Sequence, residues 1–138
     1  MNFNRILLWV ILSLFTAHAL AQALDFTGWV KSSALTALVK LKGEDRLFPA
    51  RVEGRLEGTA IEYRAQFVPF PENMDFFQSR WGMTGKWYQH YSGQYINAGF
   101  RELSHTTFAD QSGIELHQAT WILVSENDVA PGKEGTVL

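Results

Sequence analysis

The sequence predicts an α+β fold in which two helix plus antiparallel β-hairpin repeat units form a sheet flanked by helices. Three observations predict it. The chain is 138 residues long, which suits one domain with one core. Segments of helical periodicity alternate with segments of strand periodicity. The order of these segments also recurs halfway along the chain. The predicted divisions are a signal peptide over residues 1–21, a single α+β domain over 22–124 with degenerate repeats at about 33–68 and 72–124, and a flexible C-terminal tail over 125–138.

Arg5 is the one charged residue among the first 21, and the apolar run over residues 6–15 is about half the length needed to span a bilayer. Ala17-His18-Ala19 and Ala19-Leu20-Ala21 supply small-x-small cleavage sites, the second giving a mature chain that begins at Gln22. No later stretch is apolar enough to span, and there is no cysteine to carry a lipid. The expected product is exported, periplasmic or secreted, with no membrane attachment after cleavage.

Ser32 or Ser33 is placed to cap a first helix through Ala34, Leu35, Leu38, Val39 and Leu41, which Gly43 ends. Residues 47–54 read as extended, Glu57-Gly58-Thr59 as a turn, and residues 61–68 alternate apolar and polar, completing a hairpin. Pro69 and Pro71 stop that strand. Glu72 and Asn73 are read as opening a short helix, because Met74, Phe77 and Trp81 fall at i, i+3 and i+7 before Gly82. Thr84 then caps a longer helix with Trp87, Tyr88, Tyr91, Tyr95 and Ile96 on one stripe, closed at Gly99. Residues 101–109 and 114–124 read as strands around a turn at Asp110-Gln111-Ser112-Gly113.

Tyr63-Arg64-Ala65-Gln66-Phe67 aligns with His117-Gln118-Ala119-Thr120-Trp121 at an offset of 54, which supports the two-repeat reading. These segments, with Phe77-Gln78-Ser79-Arg80-Trp81-Gly82-Met83-Thr84 and Asn97-Ala98-Gly99-Phe100-Arg101, resemble the bacterial tandem repeat domain in the N-terminal halves of polyglycine hydrolases. The resemblance covers residues 61–123 well and residues 33–60 poorly. It implies a structural or binding repeat and no catalysis, because in polyglycine hydrolases the chemistry belongs to a separate serine-hydrolase domain with a serine-x-x-lysine turn. No serine after residue 21 is followed three residues later by lysine. The chain also departs from the family in having only about two repeats, the first with a shortened helical region.

The formal charge is −2, and removal of residues 1–21 leaves 11 basic against 14 acidic residues. That balance argues against a nucleic-acid partner. With no cysteine there is no disulfide framework, thiolate metal site or cysteine nucleophile, and no motif calls for a cofactor.

If the second hairpin is centred on Gln111, His105 faces His117 and Thr107 faces Glu115. Two imidazoles and a carboxylate on one face suit zinc or copper, but no histidine pair at helical spacing accompanies them and no metal site is assigned. A triad of Ser104, His105 or His117, and Asp110 fails because neighbouring strand residues point to opposite faces. Trp81, Trp87, Tyr88, Tyr91, Tyr95, Phe100, Phe108 and Trp121 are read mainly as core, with Tyr88 about 100° off the Trp87, Tyr91, Tyr95 line and therefore the one to meet a ligand, beside His90. The candidate ligand-binding residues are Tyr88, His90, His105 and His117. The expected function is a non-enzymatic binding or structural module for a protein, peptide or glycan. The alternative is a small secreted hydrolase or metal-dependent enzyme using His105, Glu115 and His117, and a third reading is an inhibitor or accessory protein of another secreted protein.

Overall fold

A computed structural model describes residues 25–125; the expected signal peptide and residues 126–138 of the expected tail lie outside them. The order is α1 (Ser32–Glu44), β1 (Leu47–Glu57), β2 (Ala60–Pro69), β3 (Met74–Thr84), α2 (Gly85–Asn97), β4 (Arg101–Ala109) and β5 (Glu115–Val124). The α+β class is as expected. Among the described residues no helix is long and apolar enough to cross a membrane.

β1 and β2 pair as an antiparallel hairpin from Leu47 opposite Pro69 to Glu57 opposite Ala60. β3, β5 and β4, in that spatial order, form a second antiparallel sheet. Residues 26–30 run along β2 through bridges from Phe26 to Gln66 and from Val30 to Tyr63.

The strands therefore form two sheets, where one was expected. β1 lies next to the second sheet, but side-chain hydroxyls take the place of a backbone ladder. Ser104 Oγ donates to the Ala50 carbonyl at 2.6 Å, Thr120 Oγ1 to the Pro49 carbonyl at 2.8 Å, and Thr106 Oγ1 to the Val52 carbonyl. These bonds satisfy acceptors that burial would otherwise orphan. Gly54 is required for the approach, since a Cβ there would run into the Phe108 ring.

The short helix expected after Pro71 is instead the strand β3. Phe77 and Trp81 share a face in either conformation, so their spacing does not discriminate. Met74 is an odd number of residues from Phe77, which would separate them in a regular strand. An irregularity in the pairing between Met74 and Phe76 resets the faces, and both side chains reach the cluster around Phe48 and Ile122. Gly82, with φ of 68°, belongs to a second irregularity between Arg80 and Met83 and not to a helix C-cap.

Neither helix uses the expected hydroxyl cap. Lys31 precedes α1, and Ser32 Oγ instead accepts from the Trp81 indole N–H at 2.9 Å. Thr84 precedes α2 without a side-chain capping bond. α1 buries Leu35 over Val52, Tyr63, Ala65 and Phe67, whereas α2 lies on Met83, Ala119 and Trp121 and contributes no buried residue of its own.

Candidate functional site

The second helix, α2, covers the face of β5 that carries His117, Ala119 and Trp121. Alternation along a strand puts those three side chains on the same side. On β4, His105 pairs with Ala119 and Thr107 with His117. The register is thus displaced by two residues from the expected one, and His105 faces Ala119 where His117 was expected. A shift of two keeps every side chain on its original face, so the two histidines remain diagonal neighbours.

His105 Nε2 and His117 Nδ1 are 2.9 Å apart, and the ring planes differ by 10° with centroids 5.1 Å apart. That separation is what a nitrogen-to-nitrogen hydrogen bond gives when two imidazoles lie edge to edge in nearly one plane. Tyr88 of α2 lies flat across both, at 4.2 Å and 10° from His105 and at 4.9 Å and 4° from His117. Its hydroxyl donates to Glu102 Oε2 at 2.7 Å. Burial first, then the Glu102 hydrogen bond and charge, push the Tyr88 phenol up to about 12. At neutral pH it is a donor that stays protonated.

Glu115 Oε1 lies 3.3 Å from His117 Nε2. A carboxylate accepts only, so this contact favours a proton on Nε2 and leaves His117 Nδ1 to accept from His105 Nε2–H. Glu115, His117 and His105 then form a carboxylate–imidazole–imidazole chain. No group of three or more His, Cys, Asp or Glu residues among the described residues is arranged to hold a metal ion.

Three of the four expected ligand-binding residues, Tyr88, His105 and His117, therefore meet in one patch. His90 is not in contact with them. It packs against Trp87 and Tyr91, with ring centroids 5.5 Å and 5.3 Å away. The paper triad does not assemble: Ser104 bonds the Ala50 carbonyl, and Asp110 Oδ1 accepts from Ser112 and from the Ile114 N–H within its own turn. Those turn bonds, that from the Ser112 hydroxyl foremost, hold the Asp110 carboxyl below its usual range.

Beneath the patch, Trp121 is completely buried against Tyr88 and Tyr95. Its indole N–H has no acceptor among the described residues. Glu102 was missed in the sequence because it is 14 residues from Tyr88 and no local motif joins them. Arg80 was missed as well: its guanidinium carbon lies 3.6 Å above the Tyr91 ring centre, and its Nε–H donates to the Tyr95 hydroxyl at 2.7 Å. A shallow cleft of about 270 Å³ between α1 and β3 is lined by Ser32, Thr36, Ser79, Arg80, Trp81 and Met83, and none of the expected residues reaches it.

Comparison of the chain with models of known protein families, with curated proteins and with solved structures finds no match.

Proposed function

We propose that the chain is an exported, non-enzymatic binding module of two helix–hairpin repeats, taking a protein, peptide or glycan ligand on Tyr88, His105 and His117. The observation that carries this reading is the Tyr88 ring laid across two hydrogen-bonded imidazoles in a helix–sheet seam where a small domain would ordinarily place aliphatic core. His105 is exposed and His117 half-buried, so polar ring edges and an aromatic face meet solvent together. Such a surface orients a ligand by hydrogen bonds and holds it by ring contact.

Support for the repeat comes from the order of elements. Residues 26–30 bridge to β2, and a helix of 13 residues and a hairpin follow; β3 pairs with β5, and again a helix of 13 residues and a hairpin follow. Val30 pairs with Tyr63 as Met83 pairs with His117. The unit therefore starts with an extended segment, which β3 supplies in the second copy.

The test is a binding screen of the chain from Gln22 onward against peptide and glycan libraries, beside the variant Tyr88→Ala/His105→Ala/His117→Ala. Ligands lost by a variant that still melts cooperatively support the site, and ligands kept by it refute the site. One observation favours a second reading: the chain from Glu115 through His117 to His105 resembles a general-base relay. Turnover of an ester or amide probe that disappears with His105→Ala would replace binding by hydrolysis.

A further inference from the structure

The arginines on the outer side of the first hairpin are neutralised. Arg64 Nη2 lies 2.7 Å from Glu53, Arg55 Nη2 2.7 Å from Glu62, and Arg51 Nε 3.1 Å from Glu53. Along α2 itself the charge balance is different, although Glu102 of β4 reaches its Tyr88. No acidic residue occurs between Asp75 and Glu102, a stretch that holds Arg80, Lys86 and Arg101 and includes the whole of α2. Arg80 is half-buried, and no carboxylate of a described residue comes within ion-pair distance of it. The ring beneath it belongs to a row: Trp87 and Tyr91 are 5.6 Å apart at 23°, and Tyr91 and Tyr95 are 6.1 Å apart at 17°. Trp87, at the open end, is 51% exposed.

A guanidinium carries five N–H donors, and Tyr95 engages only the one on Nε. The remaining fork matches a carboxylate. The Tyr91 face offsets part of the charge of Arg80 but supplies no counter-ion. Arg80 covers the face of Tyr91 and Tyr95 packs on Trp121, so the exposed ring of the row is Trp87 at its open end, which suits the C–H face of a sugar ring. The carboxylate end of a peptide would use the fork and leave the exposed Trp87 ring uncovered, whereas a uronate ring carries a C–H face and a carboxylate in one unit.

We propose that this face of α2, with Arg80, binds an anionic polysaccharide whose sugar rings carry carboxylates, a polyuronate. Trp87 stacks on a sugar ring, Arg80 takes the carboxylate, and Lys86 adds charge at the rim. The site uses none of the Tyr88, His105 and His117 side chains, so it stands or falls separately from the patch they form.

Oligogalacturonate and its neutral methyl ester, titrated into the chain from Gln22 onward and followed by tryptophan fluorescence, test the proposal. The acid should bind about tenfold or more tighter than the ester, as expected for one charge-assisted hydrogen-bond pair. Arg80→Gln should abolish that preference and Trp87→Ala should weaken both ligands, while His105→Ala/His117→Ala leaves both unchanged. If Arg80→Gln lowers the melting temperature by freeing Tyr91 and Tyr95, the exposed pair Lys86→Gln/Trp87→Ala takes its place and should lose the acid. No binding of the acid overturns the proposal, as does equal affinity for acid and ester. So does tight binding of polyacrylate that Trp87→Ala leaves intact, because charge alone would then account for it.

Discussion

α1 and α2 are helices of 13 residues, each laid on an antiparallel hairpin, but opposite chemistries hold them. Beneath α1 the seam is largely apolar: Leu35, Val52 and Ala65 are completely or almost completely buried, with Tyr63 and Phe67 closing the sides. Beneath α2 the seam is made of Tyr88, Tyr91 and Tyr95 against His117, Ala119 and Trp121, with the Tyr88 hydroxyl engaged by Glu102 and the Tyr95 hydroxyl by Arg80 and Gln78. The first seam gains mainly from the transfer of apolar surface, which is strong and insensitive to pH below the range where the buried Tyr63 phenol ionises. The second relies on ring contacts and on hydrogen bonds whose net worth is about 1 kcal/mol each. If the Tyr88 patch binds a ligand as proposed, stability and ligand chemistry are divided between the two halves, and the binding surface need not be the tightest-packed part of the molecule.

The largest expected effect tests this directly. Leu35→Ala empties a fully buried site and should cost about 2–5 kcal/mol, whereas Tyr88→Ala, at a half-exposed ring, should cost nearer 1–2 kcal/mol. Urea unfolding of both variants measures the difference, and equal losses would mean that the two seams do the same work. Next in size is the junction between the sheets. Gly54→Ala drives a methyl group into Phe108 and should lower stability by about 1–3 kcal/mol. Gly28→Ala meets no atom within 4 Å and serves as the control that should leave the melting curve in place.

A third variant converts one seam toward the other. Tyr88→Leu with His105→Val puts Leu35-like and Val52-like side chains beneath α2. Stability should change by less than about 1 kcal/mol in either direction, because lost hydrogen bonds are offset by apolar burial. Any ligand of the Tyr88 patch should be lost. A conversion that unfolds the protein would show that the polar seam is structural.

Much of this division was legible in the sequence. Tyr63, Ala65 and Phe67 alternate with polar residues and face the core as their period requires, and His105 and His117 kept a common face despite the two-residue error in register. The register differs because the turn is centred on Ser112, one residue past Gln111, and is held there by the Ser112 and Ile114 N–H groups donating to Asp110 Oδ1. β3 was not legible. Its apolar spacing imitates a helix because two irregularities interrupt its alternation, and its strand state depends on pairing with β5, some forty residues distant. Arg80 left a trace that could have been read, the absence of acidic residues from Asp75 to Glu102, but its place over Tyr91 depends on β3 being a strand.

The smallest effect at neutral pH is the most specific. The Tyr88 phenol is held up to about 12 by burial and by Glu102, against about 10 in an unfolded chain. The folded state therefore keeps this proton more tightly than the unfolded state does. Its contribution to stability is fully present below about pH 10 and declines as pH rises from there through about 12, where the folded protein also releases the proton. Glu102→Gln removes the charge and the acceptor carboxylate together, so the phenol should titrate closer to its ordinary value while stability at pH 7 barely moves. Tyr63 is also held up, by burial alone, and supplies the internal reference. Ultraviolet difference titration of the four tyrosines should show one late transition that Glu102→Gln moves earlier and another that it leaves in place. If both transitions stay fixed, the Tyr88 hydroxyl is not coupled to Glu102, and the polar seam loses the contact that distinguishes it most clearly from the apolar one under α1.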